Sequence, residues 1–282
     1  MTDSLTFDWT APVIIVGAGR SGTTRLAATL GAHRALYMVG ETSFLLPRLW
    51  ATFFDRPAYV RNWRLGQLAQ QTRPEWRERL WWEFWNSDSV RRDLSRLGPV
   101  VTQIEEAETA RLRREFGRFF AETLIPPTLR KPRWGFKEIW AGSSSMAGDW
   151  DLYQGAFPHA RYVHSFRHPL DYLRSVTSHN QRETPSGDSV ANELREWVAM
   201  VRHARTLAGT GRYIEFRMED FEQELKRILA ALELPPDPDC ERAARLDYLP
   251  SAPISISVSA SVIDSVEGLR PLAIELGYQL PG

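Results

Sequence analysis

The sequence has little of several things, and each shortage removes a class of protein. There is one cysteine, Cys240, in 282 residues. No disulfide can form within the chain, which suits a reducing cytoplasm. The 35 basic and 35 acidic residues cancel. A chain without excess charge has no broad attraction to nucleic acid or anionic lipid, so any anion site must be local. No uncharged apolar run approaches the roughly 20 residues that would cross a bilayer. The opening stretch, Met1 to Trp9, carries Asp3 and Asp8 but no basic residue, unlike a secretory signal. Six scattered histidines and a single cysteine do not make a zinc pattern. No Gly-Lys pair occurs, which excludes the standard Walker A loop and its triphosphatase or kinase chemistry. Lysine itself is scarce. Of the 35 basic residues only Lys131, Lys137 and Lys226 are lysines, so a lysine in this arginine-rich background can mark a position that needs its chemistry.

What is present is an alternation of short apolar runs with helical patterns. Strands are expected over 12–17, 35–39, 133–137, 160–166 and 212–217. Helices are expected over about 22–32, 144–155, 169–179, 189–208 and 219–232. Residues 180–188 read as a polar loop. Pro235 to Ser261 reads as irregular, followed by a last helix over about 264–276. Strands alternating with helices argue an α/β protein with a central parallel sheet flanked by helices, whose ligands bind at the carboxyl ends of the strands. The mostly helical stretch at about 44–123 is too long for a crossover. It is expected to be an insertion over the active-site edge within a single domain spanning 1–282. It holds Trp76, Trp81, Trp82, Phe84 and Trp85, which form either helix core or an aromatic wall for a substrate.

The stretch "PVIIVGAGRSGTT", residues 12 to 24, admits two readings. A strand running into Gly17, Gly19 and Gly22 is the dinucleotide fingerprint, and Glu41 stands where that fingerprint places its ribose-binding acid. That reading implies a flavin- or nicotinamide-dependent oxidoreductase, yet no second glycine fingerprint is found. Arg20, Thr23 and Thr24 favour the other reading. A guanidinium and two hydroxyls at a helix N-terminus suit a compact phosphate or sulfate. Downstream, "ARYVHSFRHPLDYLRSV" is an apolar strand ending at Arg167, with Pro169 starting a helix that carries Ser175 eight residues after Arg167. A strand-end arginine and a hydroxyl from the next helix can converge on a second phosphate. Two anion corners suggest a nucleotide with phosphates at both its 5′ and 3′ positions.

RSGTT together with R-H-P-x-D-x-x-x-S resembles the sulfotransferases that use 3′-phosphoadenosine 5′-phosphosulfate. "RWGFKE" (133–138) is similar to the family segment whose lysine touches the sulfuryl group. "FRMEDF" (216–221) is similar to the family's R-Y-E-D-L turn. "GETSFLLPR" (40–48) resembles the tyrosylprotein and bacterial sugar sulfotransferases, in which a glutamate is the general base. The ordered set spans residues 12 to 232.

The resemblance implies a P-loop-like three-layer α/β fold and sulfuryl transfer to a hydroxyl of a sugar, small metabolite, lipid-linked sugar or tyrosine. It implies donor contacts from Gly19, Arg20, Ser21, Gly22, Thr23, Thr24, Arg167 and Ser175. Glu41, Lys137 and Arg20 would be catalytic, no metal would be required, and the product would be adenosine 3′,5′-bisphosphate. A bacterial enzyme is expected, with its oligomeric state open. A donor-binding protein without transfer activity would lack the base or the lysine, and both are present. The chain departs from the family in one respect. No Lys or Arg occurs from Leu246 to Leu269, so closure over the 3′-phosphate and adenine falls to serines, Arg270 or Arg182.

Overall fold

The structure is a computed structural model. It describes residues 7–42, 45–54, 106–107, 109–140, 147–179, 187–246 and 256–282. The chain divides into two units, one made of 1–44 with 117–282 and the other of 45–116. The larger unit is built on a parallel sheet. Its strands are β1 (Val13–Ala18), β2 (Leu36–Glu41), β3 (Arg133–Trp140), β4 (Arg161–Phe166) and β5 (Tyr213–Arg217). Their spatial order is β2-β3-β1-β4-β5, with every neighbouring pair parallel. All six residues of β1 are buried, as a continuous apolar run in a central parallel strand requires.

The helices are α1 (Thr23–Gly31), α2 (Leu45–Phe54), α3 (109–124), α4 (Ala147–Ala156), α5 (Pro169–His179), α6 (Gly187–Arg205), α7 (Phe221–Ala231), α8 (Pro238–Ala244), α9 (Ala260–Asp264) and α10 (Leu269–Glu275). Short 3-10 turns lie at Pro127–Leu129 and Ala208–Thr210. α1, α7 and α8 cover one face of the sheet. Leu26 and Leu30 of α1 pack there with Val13, Ile15, Val163, Phe216, Leu225 and Leu229. The other face is aromatic. Phe136 meets Phe120 at 5.8 Å, Tyr153 at 6.0 Å and Phe157 at 6.1 Å. Trp150 of α4 meets Tyr162 of β4 and stacks on His203 of α6. Each such ring removed from water contributes about 1.5–3 kcal/mol before ordering costs.

β5 is an edge strand, and side chains occupy its outward backbone groups. The Glu215 carbonyl accepts from Arg227, and the Arg217 amide donates to Glu224. Such edge protection blocks further strand pairing.

Two expectations are corrected. The stretch read as irregular from Pro235 contains α8, whose N-cap Asp237 accepts from the amides of Asp239 and Cys240, with Pro238 in the first turn. The single helix expected over 264–276 is two helices. They are separated at Gly268, whose φ of 78° lies in the left-handed region.

In the smaller unit, α2 is described together with 106–107 and 109–116. Trp50 there makes an edge contact with Phe116 at 5.8 Å, and the Arg113 guanidinium lies 5.9 Å from the Trp50 ring. Trp76, Trp81, Trp82, Phe84 and Trp85 lie outside the described residues, as do Arg182 and residues 247–255 of the Lys/Arg-poor stretch. No helix among the described residues is long and apolar enough to cross a membrane.

Candidate functional site

Strand order changes direction across the sheet at β1, and ligand crevices form at such switch points beyond the strand carboxyl ends. The loop after β1 turns there into α1. Arg20 has φ 70° and Gly22 φ 84°, so two residues of this short loop are left-handed. At Gly22 the left-handed backbone itself favours glycine, and a Cβ there would also push aside the flexible Met218 side chain. Gly19 differs. A Cβ at that position would meet only the Ile139 side chain, at an ordinary 3.5 Å. The protein itself therefore does not demand a glycine there.

α1 begins at Gly22 with no side-chain cap and no acidic residue in its first turn. The leading amides of a helix have no intrahelical acceptors, and its dipole is positive at that end, so this terminus favours an external anion. Ser21 shapes the loop. Its hydroxyl donates to the Ala18 carbonyl at 2.6 Å, its amide donates to the same oxygen at 3.2 Å, and its carbonyl accepts from Ser165 Oγ at 2.6 Å. Thr23 is buried against the loop, while Thr24 is exposed on the first turn.

Glu41 and Lys137 form one corner. They are register partners across β2 and β3, and they meet because the register shifts between Met38 and Glu41. Gly40 sits in that irregularity with φ 96°, a conformation glycine adopts without a Cβ penalty. Lys137 Nζ lies 3.1 Å from Glu41 Oε2 and donates to Thr24 Oγ1 at 2.7 Å. The lysine side chain is 8% exposed and that of the glutamate 39%, so the carboxylate stands at the mouth and the ammonium behind it. Strand alternation sends Glu138 to the opposite face. There it is fully buried, accepting from Thr42 Oγ1 and from the Tyr153 hydroxyl at 2.9 Å.

Arg20, Arg167 and Ser175 form the second corner. Arg20 Nε donates to Ser175 Oγ at 3.3 Å, and Arg167 Nη1 donates to the Arg20 carbonyl at 3.4 Å. Arg167 Nε is buried without a hydrogen-bond partner among the described residues. A buried guanidinium N–H without an acceptor is costly unless a ligand supplies one. The Arg20 side chain therefore lies with Ser175 and Arg167, and Lys137 lies with Glu41 and Thr24. Both corners flank the same β1–α1 loop.

Sequence reasoning passed over the supports of this site. Met218 packs beneath Gly22, and its amide donates to the Phe166 carbonyl at 3.1 Å. Glu219 accepts from the amide of His168 at 2.6 Å. Both belong to the FRMEDF stretch, the one signal that could have pointed to them. His164 is a satisfied core residue, bonded through Nδ1 to the Tyr213 hydroxyl at 2.7 Å, and burial drives its pKa down to about 3. His168 caps the start of α5, its Nδ1 accepting from the Leu170 amide.

A cavity of about 720 Å³ opens elsewhere, along the outer edge of β5. Its arginines are already matched. Arg161 pairs with Glu233, and Arg205 pairs with Glu215 and Glu275, each at 2.6 Å. The candidate site is therefore the strand-end crevice. No group of three or more potential metal ligands occurs among the described residues. A carboxylate beside an ammonium, next to an uncapped helix N-terminus and a guanidinium pair, can hold a polyanion and accept a proton from a hydroxyl brought to it.

Comparison with known proteins points the same way. In solved structures the chain is similar to the sulfotransferase domain of the Synechococcus PCC 7002 olefin synthase. That match has 18% identity and a TM-score of 0.51, and covers 98% of this chain and 100% of that one. It is also similar to the sulfotransferase domain of the curacin biosynthetic pathway, at 15% identity and TM-score 0.51, covering 96% and 99%. These likenesses show the fold. No curated protein sequence matches the chain. The model of the sulfotransferase family matches residues 12–239. The match takes in every element from β1 to the start of α8, and the chain belongs to the sulfotransferase family.

Proposed function

We propose that this sulfotransferase takes its sulfuryl group from 3′-phosphoadenosine 5′-phosphosulfate and that Glu41 is the general base. The contact that carries this reading is Glu41 Oε2 to Lys137 Nζ at 3.1 Å, at the strand edge that also presents Arg167. Residues of the β1–α1 loop and the first turn of α1 hold the 5′-phosphate by backbone amides, with Thr24 beside it. Arg167 and Ser175 hold the 3′-phosphate, and their shared contacts with Arg20 support this. Arg20 lies between these two anions, bonded to Ser175.

In the transfer step Glu41 accepts the acceptor's hydroxyl proton. The acceptor oxygen forms its bond to sulfur as the bond from sulfur to the bridging oxygen breaks. Lys137 donates to that bridging oxygen, which leaves as the 5′-phosphate of adenosine 3′,5′-bisphosphate. In-line group transfer of this type is promoted mainly by positioning and by fixed charges at developing charge. A compact ammonium suits the single bridging oxygen. The acceptor is a hydroxyl of a sugar, small metabolite, lipid-linked sugar or tyrosine. The single, buried Cys240 supports a reducing compartment.

The test is transfer from labelled donor to a panel of hydroxyl acceptors, read as donor-dependent mass gain, alongside thermal stabilisation by adenosine 3′,5′-bisphosphate. A ligand at 100 times its Kd stabilises by about 2.7 kcal/mol. Stabilisation by NAD or FAD but not by the bisphosphate would refute the proposal.

A further inference from the structure

The turn that carries Arg167 is anchored on both sides by residues outside the two anion corners. On the N-terminal side, the Phe166 carbonyl accepts from the Met218 amide at 3.1 Å. On the C-terminal side, the His168 amide donates to Glu219 Oε1 at 2.6 Å. The second oxygen of the same carboxylate accepts from the Tyr278 hydroxyl at 2.9 Å. Tyr278 is 5% exposed although it lies four residues from the end of the chain. Its ring meets His168 at 5.1 Å and Phe166 at 6.3 Å, both edge-on, and the Arg217 guanidinium lies 5.4 Å from its centroid. The imidazole of His168 also reaches the C-terminal segment, with Nε2 3.0 Å from the Gln279 carbonyl. Burial and the neighbouring Glu219 carboxylate push the Tyr278 phenol up, so it remains a donor across ordinary pH.

One short stretch thus touches both corners. Met218 lies under Gly22 of the β1–α1 loop, and Glu219 lies under the turn after β4. A guanidinium aimed at a phosphate is effective only when its backbone is held to a fraction of an ångström, and hydrogen bonds behind the contact residue provide that. We infer that Glu219 and Tyr278 are positioning residues of the 3′-phosphate corner, through which the C-terminal segment sets the aim of Arg167. The inference rests on the reading above that Arg167 meets the 3′-phosphate.

The test compares binding of adenosine 3′,5′-bisphosphate with that of adenosine 5′-monophosphate, which lacks the 3′-phosphate. Tyr278→Phe removes one hydroxyl and keeps the ring packing, so the fold is retained. It should weaken the bisphosphate about fivefold, the equivalent of one hydrogen bond, and leave the monophosphate within about twofold. In turnover the loss should appear in the donor KM, with kcat recovered at saturating donor. Glu219→Ala should lose about tenfold or more, and Glu219→Gln, which keeps an acceptor for the His168 amide, should recover most of that. In an Arg167→Ala background Tyr278→Phe should have no further effect, because the group it aims is gone.

An equal loss for both nucleotides, no loss for either, or a loss that persists without Arg167 would each overturn the inference. Those results would leave the donor assignment standing. A wild-type protein that binds the two nucleotides equally would instead overturn the assignment of Arg167 to the 3′-phosphate, and this inference with it.

Discussion

Replacing Glu41 by glutamine separates base catalysis from every other role of that side chain. The amide preserves the shape and keeps an oxygen within reach of Lys137 Nζ, now 3.1 Å from Oε2. With 39% of the glutamate side chain exposed, the ion pair contributes at most about 1 kcal/mol to stability, and Tm should fall by no more than about 2–4 °C. Lys137 retains its bond to Thr24 at 2.7 Å, so the ammonium stays in place and gains freedom to meet an anion. Affinity for adenosine 3′,5′-bisphosphate should hold or tighten by up to about fivefold, the equivalent of that same 1 kcal/mol. The chemical step should slow by about 10²–10⁴, or roughly 3–5 kcal/mol of barrier. The assay is single-turnover transfer at saturating donor, with titration of the bisphosphate in parallel. A rate within about threefold of wild type would refute the base assignment, since a missing base cannot be that small an effect. A tenfold or greater loss of bisphosphate affinity would make Glu41 a prop for Lys137 instead.

Gly22→Ala should destabilise the protein by about 1–2 kcal/mol, chiefly from the left-handed backbone, and Met218→Ala, which clears the flexible thioether, should not restore that loss in urea denaturation. Folding depresses the His164 pKa from 6.5 to about 3, so the unfolded chain takes up a proton that the native one refuses. Stability from this group is complete above pH 6.5 and is lost as pH falls towards 3, at up to about 1.4 kcal/mol per unit. A His164→Asn variant should lack that slope in denaturation measured at a series of pH values. Burial, followed by the Asp237 and Glu241 charges, pushes the Cys240 thiol up to about 12, and its Sγ donates to the Thr29 carbonyl. A thiol reagent should therefore label no site in native protein and one per chain in denaturant. Labelling of native protein at the unfolded rate would contradict that burial.

The parts legible in the sequence are those governed by neighbours along the chain. β4 ends at Phe166 and α5 runs over Pro169–His179, because an apolar strand followed by a proline leaves little choice of boundary. Lys137 and Glu138 separate to opposite faces as alternation requires. α8 was missed, because the proline-rich run around it reads as loop although Asp237-Pro238 is a capping pair. The division of labour inside RSGTT was not legible. Ser21 reads as an anion ligand, yet its hydroxyl closes on Ala18 within its own loop. Tyr278 carries no signal at all, because an aromatic near the chain end becomes informative only when its partners are known.

By itself the sequence determined the alternation of elements, the glycine-containing loop that opens α1, and the strand-end and helix positions of Arg167 and Ser175. These depend on backbone sterics and periodicity, which act over a few residues. Only the tertiary structure decided that Glu41 faces Lys137, since that requires a register shift between strands almost 100 residues apart in the chain. It alone decided that Arg20 turns toward Ser175 and that the Tyr278 hydroxyl reaches Glu219. Pairings of that kind are settled by packing the whole sheet at once, and no window of sequence contains both partners.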